Sequence, residues 1–181
     1  MTLISQSYRE QNAKLHSDHD TYGAGVATKF WYALVDRIAE AVGAASILDY
    51  GCGKNRLAST LTRHVVMGYD PAIPGFDLPP SPADLVVCMD VLEHIEPDCL
   101  DAVLDDLQRL ALKGVFLTIA TGAALRVLPD GRNAHLIQEG PAWWLPKILQ
   151  RWPNLQMMQA RNDAPEFAVY AFSQDFKGGK K

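Results

Sequence analysis

The chain has 181 residues, 48% of them hydrophobic and 21% charged, proportions that fit one globular domain and exclude a disordered chain. Seventeen lysines and arginines against 21 acidic residues leave a net charge of −4, a poor basis for gripping extended nucleic acid. No apolar run approaches the roughly 18 residues of a membrane span.

Three cysteines, Cys52, Cys88 and Cys99, form no Cys-x-x-Cys pair, so neither a disulfide framework nor a thiolate zinc site is expected. The polar N-terminus lacks the character of a secretory leader, and a reducing cytoplasm is the expected compartment.

In chain order, residues 1–24 are polar and read as a candidate N-terminal lid, with Tyr8, Asn12, His16, His19 and Tyr22-Gly23 in it, a solvated surface being the favoured place for His16 and His19. Apolar spacing at Phe30, Ala33, Leu34, Ile38 and Val42 predicts a helix over 26–42, ended by Gly43. Residues 46–50 predict a short buried strand, followed by a glycine-rich turn, a helix over 57–63 and a second strand over 65–69.

Residues 71–83 hold five of the eleven prolines and exclude a long helix. A third strand is predicted over 85–89. A helix capped by Asp98 then buries Leu100, Val103, Leu104, Leu107 and Leu110. A fourth strand over 115–119, a helix over 143–152 and a closing hairpin of 155–158 with 167–172 across Asn162-Asp163 complete the chain. Residues 176–181 read as a flexible tail.

Strands that are near-continuous apolar runs and alternate with helices predict a parallel sheet covered on both faces. The expected fold is α/β, a Rossmann-like, mostly parallel sheet of six or seven strands with a C-terminal antiparallel hairpin. Ligands of such sheets sit beyond the carboxyl ends of the strands.

The first strand ends in Asp49-Tyr50-Gly51-Cys52-Gly53-Lys54-Asn55, and the second ends at Asp70. Two glycines let a ligand approach bare backbone, and a carboxylate about 20 residues on can accept ribose hydroxyls. Either feature alone is an ordinary turn; together they point to an adenosine-containing cofactor.

These segments, with Ala83-Asp84-Leu85-Val86-Val87 running into Val91-Leu92-Glu93-His94-Ile95, resemble the class I S-adenosylmethionine-dependent methyltransferases over about residues 45–120. The resemblance implies that Asp49, Gly51 and Gly53 hold the methionine part of the cofactor, with Cys52 in the same loop for its size. It implies that Asp70 holds the ribose and that the loop near Met89 packs on the adenine. Asn55 stands where the family often has a third glycine, and it tolerates left-handed backbone. The family's helix and edge strand after its second strand are expected to be lost or vestigial. Asp77 there reads as a plain turn carboxylate or an adenine contact.

Asp90, Glu93 and His94 stand at i, i+3 and i+4 and would share one face of a helix. Two carboxylates and an imidazole there suit Mg²⁺, Mn²⁺ or Fe²⁺, with Zn²⁺ possible. The alternatives are that His94 is a base or fills the pocket wall. The triplet, followed by His135 ahead of Trp143-Trp144, is similar to the small-RNA terminal 2′-O-methyltransferases and to the ubiquinone-pathway O-methyltransferases. That similarity implies a metal at Asp90, Glu93, His94 and His135, with Asp90 standing where those families show Glu.

The expected activity is metal-assisted O-methylation of a small polar molecule or nucleotide terminus. Two alternatives stand beside it. One is a metal-free N- or O-methyltransferase with His94 or His135 as general base. The other is a non-catalytic cofactor-binding module. Arg132 reads as an anion contact or a salt bridge, one of Trp143 and Trp144 as a core residue and the other as a stacking surface. Asp98, Asp101, Asp105 and Asp106 read as the start and solvated face of a helix.

Overall fold

A computed structural model of the chain describes residues 2–25, 28–158 and 165–173. The described elements are α1 (Gln6–Asp18), a 3₁₀ turn (Thr28–Trp31), α2 (Tyr32–Ala41), β1 (Ser46–Tyr50), α3 (Arg56–Thr60), β2 (Val65–Tyr69) and β3 (Ala83–Met89). Two 3₁₀ turns (Leu92–His94 and Pro97–Cys99) follow, then α4 (Leu100–Leu110), β4 (Ala111–Ala120), α5 (Pro141–Leu149), β5 (Leu155–Met158) and β6 (Glu166–Phe172).

The six strands form one sheet in the order β2-β1-β3-β4-β6-β5. The pairs β2–β1, β1–β3 and β3–β4 are parallel; β4–β6 and β6–β5 are antiparallel. This is the expected Rossmann-like architecture with its closing hairpin. The turn at Asn162-Asp163 and the tail 176–181 lie outside the described residues. β2 is an edge strand, and along the chain no further strand occurs among the described residues between Tyr69 and Ala83. The proline-rich stretch is a run of turns, as its lost backbone donors require.

Period-two side chains explain how the sheet is buried on both faces. Leu48, Tyr50, Val86, Cys88, Val115 and Leu117 join Val103, Leu104, Leu107, Trp144 and Ile148 of α4 and α5 in one core. Ile47, Leu85, Val87 and Phe116 join Val35, Ile38, Ala39, Leu57 and Leu61 in the other. A third, small cluster of Tyr8, Leu15 and Leu128, flanked by Ile4, Tyr22 and Leu136, docks α1 on the long β4–α5 loop.

Several local readings change. The helix expected from residue 26 begins as a 3₁₀ turn at Thr28, with α2 proper at Tyr32; Gly43 does terminate it, at φ +58°. Asp98 is not the cap of α4: it sits inside the 3₁₀ turn Pro97–Cys99, and Cys99 stands at the cap without a side-chain bond. The acids of α4 are only partly a solvated face. Asp101 and Asp105 clasp the buried Arg151 beyond α5, and Asp106 accepts from the Tyr50 hydroxyl at 3.1 Å.

All three cysteines are buried and free. No helix of the described residues is long and apolar enough to cross a membrane.

Candidate active site at the carboxyl ends of the strands

β1 and β2 end side by side, and the turn after β1 folds over the end of β2. The N–H groups of Gly51 and Cys52 both donate to the Tyr69 carbonyl, at 2.7 and 3.0 Å. Gly51 and Gly53 take φ +80° and +50°, and Asn55 takes φ +54°, so the third turn position is left-handed without a glycine, as asparagine allows. Space matters as much as torsion. A Cβ on Gly51 would sit 2.4 Å from Val91, and one on Gly53 would sit 2.3 Å from the Gly23 carbonyl oxygen.

Asp70 is buried with both oxygens engaged. It accepts the Gly53 N–H at 3.1 Å and the Ala72 N–H at 3.0 Å, which leaves further lone pairs for hydroxyls. Asp49 is buried beside it, and burial, reinforced by the charge of Asp70, pushes its pKa up to about 7. Burial raises the Cys52 thiol well above its ordinary range. These residues, with Met89, line a cavity of about 400 Å³.

The far wall of the same cavity comes from the end of β3 and from the β4–α5 loop. Asp90 sits at φ +54°, an uncommon state for a non-glycine residue. It is held there by its N–H to Thr118 Oγ1 at 3.1 Å and by Thr118 Oγ1 donating back at 3.3 Å. The next residues form a 3₁₀ turn, Leu92–His94. The single α-helical face expected for Asp90, Glu93 and His94 is therefore not formed.

Glu93 is fully buried. Its Oε1 accepts the Ala120 N–H at 2.9 Å, while Oε2 is buried with no hydrogen-bond partner. Burial first, then the charge of Asp90, raises its pKa well above the carboxylate range. His94 Nδ1 faces the Ala134 carbonyl at 2.8 Å, and His135 Nδ1 faces the Gly122 carbonyl at 2.6 Å. A carbonyl only accepts, so each Nδ1 carries the proton and each Nε2 keeps its lone pair.

The two imidazoles meet edge to face, with centroids 4.7 Å apart. Burial and then the neighbouring His135 lower the pKa of His94 to about 3; burial also lowers that of His135. One carboxylate oxygen of Glu93 and one ring nitrogen of each histidine lie within 4.8 Å of one another. Asp90 is not a member of that group.

A family model described as a methyltransferase domain matches residues 24–162. The chain belongs to this methyltransferase family, within the S-adenosylmethionine-dependent class I superfamily. No curated protein sequence matches it.

Solved structures share its fold at low identity. The 1,6-didemethyltoxoflavin-N1-methyltransferase of Burkholderia thailandensis, with bound 1,6-didemethyltoxoflavin and S-adenosylhomocysteine, is 16% identical. It has a TM-score of 0.65 over 92% of this chain and 87% of that one. The magnesium protoporphyrin IX methyltransferase of Synechocystis PCC 6803, with bound S-adenosylhomocysteine, is 16% identical, with a TM-score of 0.59 over 96% and 90%. The methyltransferase domain of bacterial CtHen1 is 15% identical, with a TM-score of 0.57 over 78% and 96%.

In this methyltransferase the N-terminal segment lies against the glycine turn after β1. Gly23 O accepts the Lys54 N–H at 2.8 Å, the Lys54 ammonium reaches His16 O at 3.0 Å, and His16 Nε2 stands 4.0 Å from Asp70. His16 is largely out of solvent: it packs against Tyr22 with the rings tilted by 59°, and burial lowers its pKa against the pull of Asp70.

Arg132 is spent on Asp130, at 2.9 and 2.8 Å. Trp144 is the core residue of the tryptophan pair, whereas Trp143 lies under Lys147, 4.5 Å from its ammonium, and does not line the cavity. Asp77 accepts the Gly75 N–H and closes a turn.

Sequence reasoning missed four contributors. Val91 fills the space that Gly51 leaves, and Thr118 fixes Asp90. Asn133 accepts from both the Ala124 and His135 N–H groups at 2.9 Å and so positions His135. Arg126 lines the cavity. Only Asn133 carried a signal, since asparagine two residues after Asp130-Gly131 marks a turn region.

Proposed function

We propose that this methyltransferase transfers the methyl group of S-adenosylmethionine to an oxygen of a small polar acceptor or nucleotide terminus. In this reading a divalent cation is held by Glu93, His94 and His135. The observation that carries it is the orphaned Oε2 of Glu93: a buried carboxylate oxygen without a partner, grouped with two imidazoles whose lone pairs are free. Such an oxygen is costly to leave unpaired, and a cation is the partner this donor set fits.

The cofactor side fits as well. Two glycines present bare backbone, Asp49 can take an ammonium, and Asp70 keeps lone pairs for ribose hydroxyls. Met89 is a flat apolar wall for a base. The cofactor supplies a methyl already activated on a sulfonium, so the chain's task is positioning and desolvation.

The carbonyls of Ala134 and Gly122 orient the two imidazoles. The β4–α5 loop and α1 border the acceptor side. The cation would lower the pKa of an acceptor hydroxyl and fix its direction. The Nδ1–carbonyl contacts leave each Nε2 lone pair for a ligand, and the buried Glu93 oxygen grouped with them favours ligation over the metal-free reading. Three buried free thiols agree with a reducing cytoplasm.

The test is methyl transfer to a library of hydroxylated acceptors with Mn²⁺ or Mg²⁺ and with EDTA. Chelation should abolish turnover. His135→Ala should lower it about 10- to 100-fold, with partial rescue by excess Mn²⁺. Full turnover in EDTA refutes the metal.

A further inference from the structure

Four of the eight described arginines are neutralised. Arg63, Arg109, Arg132 and Arg151 each meet an aspartate. Arg126 differs. It is half-buried on the wall of the active-site cavity, its Nη2 donates to the Thr21 hydroxyl at 2.9 Å, and among the described residues it meets no carboxylate. A guanidinium has five N–H donors, and holding one partly out of water without a counter-charge costs stability.

Its position is set by the chemistry already described. The Arg126 carbonyl accepts the Ala134 N–H at 3.0 Å, and the Ala134 carbonyl in turn faces His94 Nδ1. Arg126 therefore rides on the same backbone ribbon that orients the histidine pair. The other cavity cation, Arg56, is exposed and stands at the start of α3 on the cofactor side.

Resting on the proposed acceptor side at the histidine pair, we infer that Arg126 is a specificity residue of the acceptor subsite, and that the methyl acceptor carries an oxyanion group, carboxylate or phosphate, that pairs with its guanidinium. The planar fork of arginine suits both groups through paired N–H···O bonds. Leu3, Ile4, Ile95 and Leu125 add apolar surface to the cavity beside the polar Tyr8, Asn12, Tyr22, Asp90 and His94, so the acceptor is expected to combine its oxyanion with an apolar part.

The test uses the full chain loaded with S-adenosylhomocysteine and two matched probe pairs, 4-hydroxybenzoate against 4-hydroxybenzamide and phenyl phosphate against phenol, followed by titration calorimetry or ligand-observed NMR. At least one oxyanion should bind about tenfold more tightly than its neutral partner. Arg126→Gln should erase that preference, and Arg126→Lys should keep part of it. Thr21→Val, which removes the hydroxyl but leaves the guanidinium, should keep it, as should Arg56→Gln.

Equal binding of charged and neutral probes, failure of both oxyanions to bind, persistence of the preference in Arg126→Gln, or its loss in Thr21→Val would each overturn the inference. S-adenosylhomocysteine affinity, read on the same samples, separates the two levels. Its absence in the wild-type chain defeats the cofactor reading and this one with it. Turnover that survives EDTA removes only the metal.

Discussion

The two walls of the active-site cavity are built on different physics. The wall proposed for the cofactor is the end of the sheet itself: β1 and β2 deliver Asp49, the glycine turn and Asp70 from strands whose side chains fill both main cores. The wall proposed for the acceptor hangs on α1 and the β4–α5 loop, tied together by the small cluster of Tyr8, Leu15 and Leu128 and by hydrogen bonds such as Tyr8 to the His94 carbonyl. A wall that belongs to the core shares the stability of the whole domain. A wall with its own satellite core opens at lower cost. On the proposed reading, acceptor exchange would proceed while the glycine turn stays formed.

The largest expected contrast comes from one truncation in each place. Leu104 is fully buried in the main core, and Leu128 is almost fully buried in the satellite. Leu104→Ala should lower global stability by about 2–5 kcal/mol. Leu128→Ala should leave the global denaturation midpoint nearly unchanged, speed amide exchange in α1 and residues 121–137, and depress acceptor turnover more than S-adenosylhomocysteine binding. Equal loss of global stability in the two variants would make the walls a single cooperative unit.

The seam between the walls gives the next effect. Gly53 abuts the Gly23 carbonyl, so Gly53→Ala must both carry a side chain at positive φ and push the N-terminal segment away. A cost of about 2–4 kcal/mol follows from strain plus overpacking, with weakened cofactor binding. Gly131 also takes positive φ, at +89°, but a Cβ there meets nothing within 4 Å. Gly131→Ala should cost only about 1 kcal/mol and leave the cofactor untouched. Thermal denaturation of the pair, with and without S-adenosylhomocysteine, decides it.

The same division explains what was legible in the sequence. Each cofactor-wall residue sits within one turn of a strand end, and the strands are continuous apolar runs, so pattern and position agree. The acceptor wall depends on contacts across about 100 residues: Arg126 to Thr21, Ser5 to Glu96, Tyr8 to His94. No local period encodes these. The spacing of Asp90, Glu93 and His94 misled for a related reason. Helical spacing assumes helical torsions, and Asp90 instead takes a left-handed turn pinned by Thr118 of the neighbouring strand. His135 is brought to His94 by Asn133 and two carbonyls, a tertiary device that residue type alone does not announce.

The smallest effect is the most specific to the cofactor wall. Asp49 has its pKa raised to about 7 by burial and then by Asp70, so the folded chain binds a proton there that the unfolded chain has released. A raised carboxyl contributes stability that is present in full below its unfolded value and is lost as pH rises through the folded value. Between pH 5.5 and 7 that loss amounts to about 2 kcal/mol.

Other groups titrate in the same interval, so the quantity to measure is the difference between the wild-type and Asp49→Asn stability profiles. It should slope downward from pH 5.5 and flatten above 7. Asp70→Asn should shift that bend to lower pH, because it removes the neighbouring charge that supplies part of the rise. A cofactor that brings an ammonium to Asp49 favours the ionised carboxyl, so wild-type affinity for S-adenosylhomocysteine should strengthen over the same interval and that of Asp49→Asn should not. Parallel stability profiles would mean that Asp49 is already ionised in the free protein.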